Sequence, residues 1–252
     1  MNKSHSKRVF IYIPSRYGSQ RLPAKALAPI KGRPLVSWVI DQAKGSKLAE
    51  RVVVVTDDAR IQEVALGEGA EVQMTPSECP SGTDRIAWAV KNLKDRPDVV
   101  VNLQGDEPLI TPQAIDLAIA PVLNGECQIS TLSTRFKSLK EFESRNCVKV
   151  LCRKNRDAIY FSRFAIPYSR LDPADEGSLI PEQHIGLYVY ETETLLKLAA
   201  LAPTELEKME SLEQLRALYY GYSIRVVETE YNGVGVDTPE DLERVSELMG
   251  ES

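Results

Sequence analysis

The feature that most constrains this 252-residue chain is the alternation of short β-branched runs with helix-spaced segments through its first half. Val9-Phe10-Ile11-Tyr12-Ile13 is β-branched and aromatic and meets Pro14, which reads as a buried strand opening into a loop. Helical spacing follows from Pro34 to Lys44. Arg51 to Val55 ends in Thr56-Asp57-Asp58, where a capping residue starts a helix through about Leu66, and Glu71 to Met74 is a third strand. Ile86 to Leu93 is amphipathic and Asp98 to Leu103 is strand-like. Thr111-Pro112 opens a helix to about Leu123, with proline in a first turn where its missing N–H is not needed. The series predicts an α/β fold, a mainly parallel sheet with helices on both faces. Open sheets of this kind bind ligands beyond the carboxyl ends of their strands. Pro14 to Lys25, Thr75 to Arg85 and Gln104 to Pro108 are therefore expected on one rim.

After Ile129 the pattern changes. Ile129 to Phe136, Val148 to Cys152, Ala158 to Phe161 and Ile185 to Tyr190 are strand-like with no long helix between them, which predicts a smaller antiparallel insertion. Arg170 to Glu182 is rich in Asp, Pro, Gly and Glu and reads as an exposed, mobile loop. Helical spacing returns at Thr192 to Leu201 and Glu205 to Tyr220, followed by a strand at Ile224 to Val227 and a terminal helix from Pro239. No internal repeat or low-complexity tract interrupts the chain.

Composition narrows the chemistry. Thirty-one Lys and Arg against 36 Asp and Glu give a formal charge of −5, which argues against a broad basic face for nucleic acid and leaves room for a local basic pocket. No stretch approaches the roughly 18 to 20 apolar residues of a membrane helix, and Met1 to Arg8 is polar rather than signal-like, so a cytoplasmic protein without membrane partners is expected. Cys79, Cys127, Cys147 and Cys152 form no C-x-x-C and read as reduced thiols. With His5 and His184 the only histidines, histidine triads and multi-histidine metal centres are excluded, and a metal would need oxygen ligands.

Three segments could carry chemistry. Pro14 to Lys25 sets Arg16, Arg21 and Lys25 around Gly18 and Ser19, a basic turn whose N–H groups and guanidinium forks suit a polyphosphate. Neither a P-loop nor a dinucleotide fingerprint is present, and the run read alone is equally a solvated basic loop. Asn102-Leu103-Gln104-Gly105-Asp106-Glu107-Pro108 ends a buried strand in two acids, where a hard Mg²⁺ could bridge protein and phosphate; alone it is also an ordinary turn. In Gly233 to Leu242, Asp237 or Thr238 reads as the cap of the last helix, with Pro239 in its first turn.

The runs IPSRYGSQRLPAK, SGTDRI (Ser81 to Ile86), NLQGDEP, YFSR (Tyr160 to Arg163), HIGLY (His184 to Tyr188), LEQLR and GVGVDTPEDLERV occur in this order over nearly the whole chain. Together they resemble the 3-deoxy-manno-octulosonate (Kdo) cytidylyltransferase, or CMP-Kdo synthetase, family. The resemblance implies a Rossmann-like nucleotidyltransferase fold in a single domain over residues 1–252. Roughly 1–128 and 221–252 would form the nucleotide-binding core and roughly 129–220 a sugar-binding and dimerisation subdomain. It implies a Mg²⁺-dependent homodimer that makes CMP-Kdo from CTP for lipopolysaccharide or capsule. By motif position, Arg16, Arg21 and Lys25 would hold the CTP phosphates, with Ser81, Arg85 and Gln104 around the cytidine. Lys25, Asp106 and Asp237 would be catalytic, the two aspartates holding Mg²⁺. Arg163, His184, Tyr188, Glu213 and Gln214 would contact the sugar acid, with Arg163 a partner for its carboxylate. Read without the resemblance, Tyr188 is a core residue and Glu213 and Gln214 the wet face of a helix.

Departures from the family pattern are mild. Ser15, Gln20, Ala24 and Ala26 stand where the family more often has Ala, a small hydroxyl residue, Gly and Pro, and Phe164 is bulkier than the usual residue after Arg163. The implied chemistry is in-line attack by the anomeric hydroxyl on the α-phosphorus of CTP, catalysed by positioning and charge neutralisation without a covalent protein nucleophile. Other readings are a cytidylyltransferase for 8-amino-Kdo or another α-keto acid sugar, and a non-catalytic nucleotide-sugar sensor.

Overall fold

Strand β1 (Val9–Ser15) is the axis of the molecule because both of its faces are apolar: Val9, Ile11 and Ile13 point to one side, Phe10 and Tyr12 to the other, and all five are buried. A computed structural model of the chain describes residues 7–18, 22–168, 170 and 181–250. Arg21, most of the Arg170 to Glu182 loop and nearly all of the polar Met1 to Arg8 start lie outside the described residues.

After β1 come a 3₁₀ turn (Lys25–Leu27), a small hairpin of β2 (Pro29–Ile30) and β3 (Arg33–Pro34), helix α1 (Leu35–Lys44), β4 (Arg51–Thr56), α2 (Ala59–Gly67) and β5 (Glu71–Met74). Helix α3 (Gly82–Lys91), β6 (Val99–Asn102) and α4 (Pro112–Leu123) complete the alternation read from the sequence. The caps of α2 and α4 are the predicted kind, and Ser81 adds one to α3 that the sequence reading did not assign. Asp58 accepts from the Arg60 N–H to start α2, Ser81 from Asp84 to start α3, and Thr111 from Ala114 to start α4 ahead of Pro112.

The second half contributes β7 (Ile129–Arg135), the five-residue helix α5 (Leu139–Glu143), β8 (Lys149–Cys152), β9 (Ala158–Ser162) and the long β10 (Glu182–Glu191). Helices α6 (Thr192–Ala199), α7 (Glu205–Glu210) and α8 (Gln214–Tyr219) follow, then β11 (Arg225–Glu228) and α9 (Pro239–Leu248). The main sheet runs β11-β7-β10-β6-β1-β4-β5. Its pairs are parallel except around β10, which is antiparallel to both β6 and β7.

The strands after Ile129 therefore divide. β7, β10 and β11 continue the main sheet, and only the β8–β9 hairpin extends from the start of β10, through Glu182 and Gln183. Local pattern gave their existence but not their neighbours, because pairing order is a long-range choice. The helical run at Glu205 to Tyr220 is also two helices: Ser211 takes a left-handed conformation at φ 53° and ends α7 before α8 begins.

One apolar cluster joins Ile11 and Ile13 to α1, α4 and Val245 of α9; the other joins Phe10 and Tyr12 to α3, α6 and α8. Helices thus cover both faces, as predicted. Among the described residues no helix is long and apolar enough to cross a membrane.

Candidate functional site

Three strands end on one rim and hold a cleft of about 500 Å³ between them. β1 runs into the loop from Arg16, β6 into Gln104-Gly105-Asp106, and the loop after β5 leads to the N-terminus of α3. Their close approach depends on glycine. A Cβ on Gly105 would lie 2.9 Å from Ser15 Oγ and 3.1 Å from the Pro14 carbonyl oxygen, and one on Gly82 would lie 3.1 Å from Pro14 Cγ.

The basic loop is anchored at both ends. The Arg60 guanidinium lies 3.5 Å from the centre of the Tyr17 ring, and the Ala24 N–H donates to the Tyr17 carbonyl at 3.2 Å. Ala24 is left-handed at φ 55°, which turns the chain so that Lys25 faces the cleft. The Lys25 ammonium donates to Asp106 Oδ2 at 2.6 Å and to Asp237 Oδ1 at 3.0 Å. Burial by itself would lower the lysine pKa, but the charges and hydrogen bonds of Asp106 and Asp237 outweigh it and raise the pKa.

Asp237 comes from 131 residues beyond Asp106 in sequence and is brought in by three local devices. The Val236 N–H donates to the Asp106 carbonyl at 2.8 Å. The Tyr231 hydroxyl donates to Glu107 Oε2 at 2.7 Å. Thr238 and Asp241 form a capping box on α9, and Asp241 also accepts from the Asp237 N–H at 3.0 Å. Burial, with the Asp106 charge beside it, pushes the Glu107 carboxyl up to about 7.

At the α3 end, Ser81 caps the helix and donates to Asp84 Oδ2 at 2.8 Å. Arg85 is only 3% exposed; it donates to Thr75 Oγ1 and, at 3.0 Å, to Asp57 Oδ2, so it braces the wall it lines. Gln104 Nε2 donates to Asn102 Oδ1 at 2.8 Å, and Asn102 Nδ2 donates to Thr83 Oγ1 at 3.3 Å. Desolvation in the cleft raises the Glu213 pKa although the residue keeps contact with solvent, with the nearby Thr83 and Ser81 hydroxyls acting against it.

The cleft thus brings together Arg16, Lys25, Ser81, Arg85, Gln104, Asp106, Glu213 and Asp237 of the predicted set. It does not bring in Arg163, His184, Tyr188 or Gln214, and Arg21 lies outside the described residues. Arg163 spends its guanidinium on backbone: Nε donates to the Glu210 carbonyl at 2.8 Å and Nη1 to that of Arg145 at 3.2 Å. His184 Nε2 lies 2.9 Å from Thr131 Oγ1, its ring packs edge-on to Phe161, and burial pushes its pKa down to about 3, so it is neutral.

Tyr188 is a member of the second apolar cluster, the plain reading of its strand. Gln214 is buried at the start of α8 rather than wet, because the break at Ser211 turns that helix inward. Sequence reasoning assigned no role to Thr83, Asn102, Glu107 or Tyr231, although the first three lie inside the quoted SGTDRI and NLQGDEP runs.

A cytidylyltransferase family profile matches residues 10–226. A 3-deoxy-manno-octulosonate cytidylyltransferase of Geobacter metallireducens is 46% identical over 250 residues, covering 96% of this chain and 98% of that protein. A protein of the same name from Bdellovibrio bacteriovorus is 45% identical over 239 residues, covering 94% and 96%. The solved structure of CMP:2-keto-3-deoxy-manno-octonic acid synthetase complexed with CTP superposes with a TM-score of 0.89 at 36% identity, over 97% of this chain and 99% of that one. A cytidylyltransferase of Leptospira borgpetersenii, at 20% identity and a TM-score of 0.65 over 98% and 88%, shares the fold.

Proposed function

The chain belongs to the 3-deoxy-manno-octulosonate cytidylyltransferase family, and from that premise we infer that its cleft transfers CMP from CTP to Kdo, releasing pyrophosphate. The observation that carries the reading is the Lys25 ammonium held between Asp106 and Asp237 at the meeting of three strand-end loops. Phosphoryl transfer needs positioning and neutralisation of charge, and this arrangement supplies both without a nucleophilic side chain. The anomeric C2 hydroxyl gives up its proton to solvent and forms the new O–P bond to the α-phosphorus as the bond to the bridging β-phosphate oxygen breaks. Pyrophosphate leaves toward the loop that carries Arg16.

Asp106 and Asp237 both reach one ammonium, so their oxygens converge. Two hard carboxylates suit Mg²⁺, which takes one or two protein carboxylates and completes its shell with water and phosphate. These residues would hold the ion, and when bound it supplies charge stabilisation at the α-phosphate and a lowered pKa for an attacking hydroxyl. Lys25 stays protonated between the same oxygens and contributes a fixed positive charge toward the triphosphate. Ser81, Arg85 and Gln104 line the wall for the nucleoside and the near edge of the sugar acid. Glu213, with Arg163, His184, Tyr188 and Gln214 behind it, forms the sugar-acid side. We place the enzyme as a cytoplasmic homodimer, its residues around 129–220 carrying sugar binding and dimer contacts, with its product consumed in lipopolysaccharide or capsule synthesis.

The test is Mg²⁺-dependent pyrophosphate release from CTP with Kdo, 8-amino-Kdo, a sialic acid and no acceptor. The expected result is release with Kdo at much the highest kcat/KM. Preference for another acid would reassign the sugar side alone, and CTP binding with no release for any acceptor would overturn the reading in favour of a sensor.

A further inference from the structure

Lys149 opens β8 and is fully buried, which for a lysine calls for a reason. The three protons of its ammonium go to main-chain carbonyls: those of Ser144 at 2.7 Å, Cys147 at 2.8 Å and Arg163 at 3.0 Å. Antiparallel pairing sets Lys149 opposite Ser162, the last residue of β9, so the ammonium meets the Arg163 carbonyl just past the strand end. Glu210, the last residue of α7, comes to the same point with the opposite charge. Its Oε2 accepts from the Arg163 N–H at 2.9 Å and its Oε1 from the Ser162 hydroxyl at 2.6 Å. The Ser162 oxygen in turn accepts from the Phe164 N–H at 3.0 Å.

Both peptide groups that flank the Arg163 Cα are therefore tied. The carboxylate takes the N–H of the first, the ammonium takes the C=O of the second, and Ser162 passes the hold of Glu210 to the second N–H. With both soft dihedrals fixed, the direction in which the side chain leaves the backbone is fixed as well. The guanidinium is then caught by the same helix end: Nε donates to the Glu210 carbonyl at 2.8 Å and Nη2 to that of Ser211 at 3.5 Å, while Nη1 reaches the Arg145 carbonyl at 3.2 Å. These described partners use three of the five N–H groups of an arginine, and one on each terminal nitrogen remains for a ligand.

We propose that Glu210 is a positioning residue that aims the Arg163 guanidinium at the carboxylate of the sugar acid. The inference rests on the functional reading above, in which Arg163 belongs to the sugar-acid side. A side chain held in place before the substrate arrives has less freedom to lose on binding, and charge-assisted bonds to the backbone are the strong way to hold it.

The experiment compares the full chain with E210A, which removes both acceptors, and with E210Q, which keeps the shape and an oxygen for the Arg163 N–H. S162A, which cuts only the hold on the second peptide, is a milder probe. Protein labelled with ¹⁵N-arginine is observed by NMR without substrate, the Arg163 Nε–H signal being identified by its loss in R163K. That signal is expected to move in E210A, to move less in S162A and to lie near its parent position in E210Q. In pyrophosphate release, E210A is expected to raise the KM of the preferred sugar acid about tenfold, the loss of one charge-assisted hydrogen bond, with the CTP KM within about twofold. E210Q restores most of that KM, and in R163A protein E210A raises it no further. An Arg163 signal unmoved in both E210A and S162A overturns the clamp. A moved signal with an unchanged sugar-acid KM, an equal rise in the CTP KM, or a further rise from E210A in R163A protein overturns its role toward the acid. A parent enzyme that turns over no acid overturns the functional reading and that role with it, while the arginine signals still decide the clamp.

Discussion

The two sides of the cleft are built differently. On the side of the strand-end loops, Lys25 bonds Asp106 and Asp237 directly, with Gly105 and Gly82 letting the backbones close in. On the side of β9, β10 and α8, Arg163 and His184 are committed to the protein itself: one to the carbonyls of Arg145 and Glu210, the other to Thr131 and an aromatic wall. The first side is a set of charges bonded to one another in the cleft. The second is a satisfied polar framework, and a residue there affects stability as well as binding.

The contrast is broken most directly at Asp106. Asp106→Asn keeps CTP binding while kcat falls about 10²- to 10³-fold, as for removal of one group that stabilises transition-state charge; titration of CTP beside pyrophosphate release checks both halves. Near-normal kcat would show that the charged side is not where the chemistry occurs.

His184 tests the other side through pH. Its folded pKa of about 3 lies below the unfolded value of 6.5, so the folded state resists a proton that the unfolded chain takes. Its contribution is whole above pH 6.5 and is lost as pH falls toward 3, with a slope of at most about 1.4 kcal/mol per pH unit. Urea unfolding between pH 4.5 and 7.5 is expected to show a shallower slope for His184→Gln than for the parent. Equal slopes would mean that the ring is not the protected base.

Arg163→Ala sharpens the comparison, because its lost bonds to the Arg145 and Glu210 carbonyls cost about 1–2 kcal/mol of stability. A rise in the Kdo KM with unchanged CTP KM is expected to accompany the fall in Tm. A rise in KM without loss of Tm would mean that the guanidinium serves substrate alone. The smallest effect is at Ala24, held at φ 55°. Ala24→Gly relieves a left-handed Cβ and is expected to stabilise by at most about 1 kcal/mol, measured by denaturant midpoint, with kcat within about twofold.

Much of this was legible locally. Asp58, Thr111 and Thr238 cap the helices they were expected to start, and the rim of strand ends follows from parallel β-α-β order. The break at Ser211 was not legible, since serine carries no preference for a left-handed residue strong enough to announce it. Nor was the burial of Gln214 that follows from that break. Asn102 and Thr83 escaped assignment because both are uncharged and only the fold brings them to one another and to Gln104.

By itself the sequence determined the alternation, the caps, the basic loop and the family motifs, since each is a property of neighbours within about ten residues or of one strand's two faces. The tertiary structure alone decided that β10 enters antiparallel between β6 and β7, that Asp237 meets Asp106 through Lys25, and that Arg163 and His184 are bonded inward. Those outcomes depend on which distant segments exclude water together, and that competition is settled by packing the whole chain rather than by any local pattern.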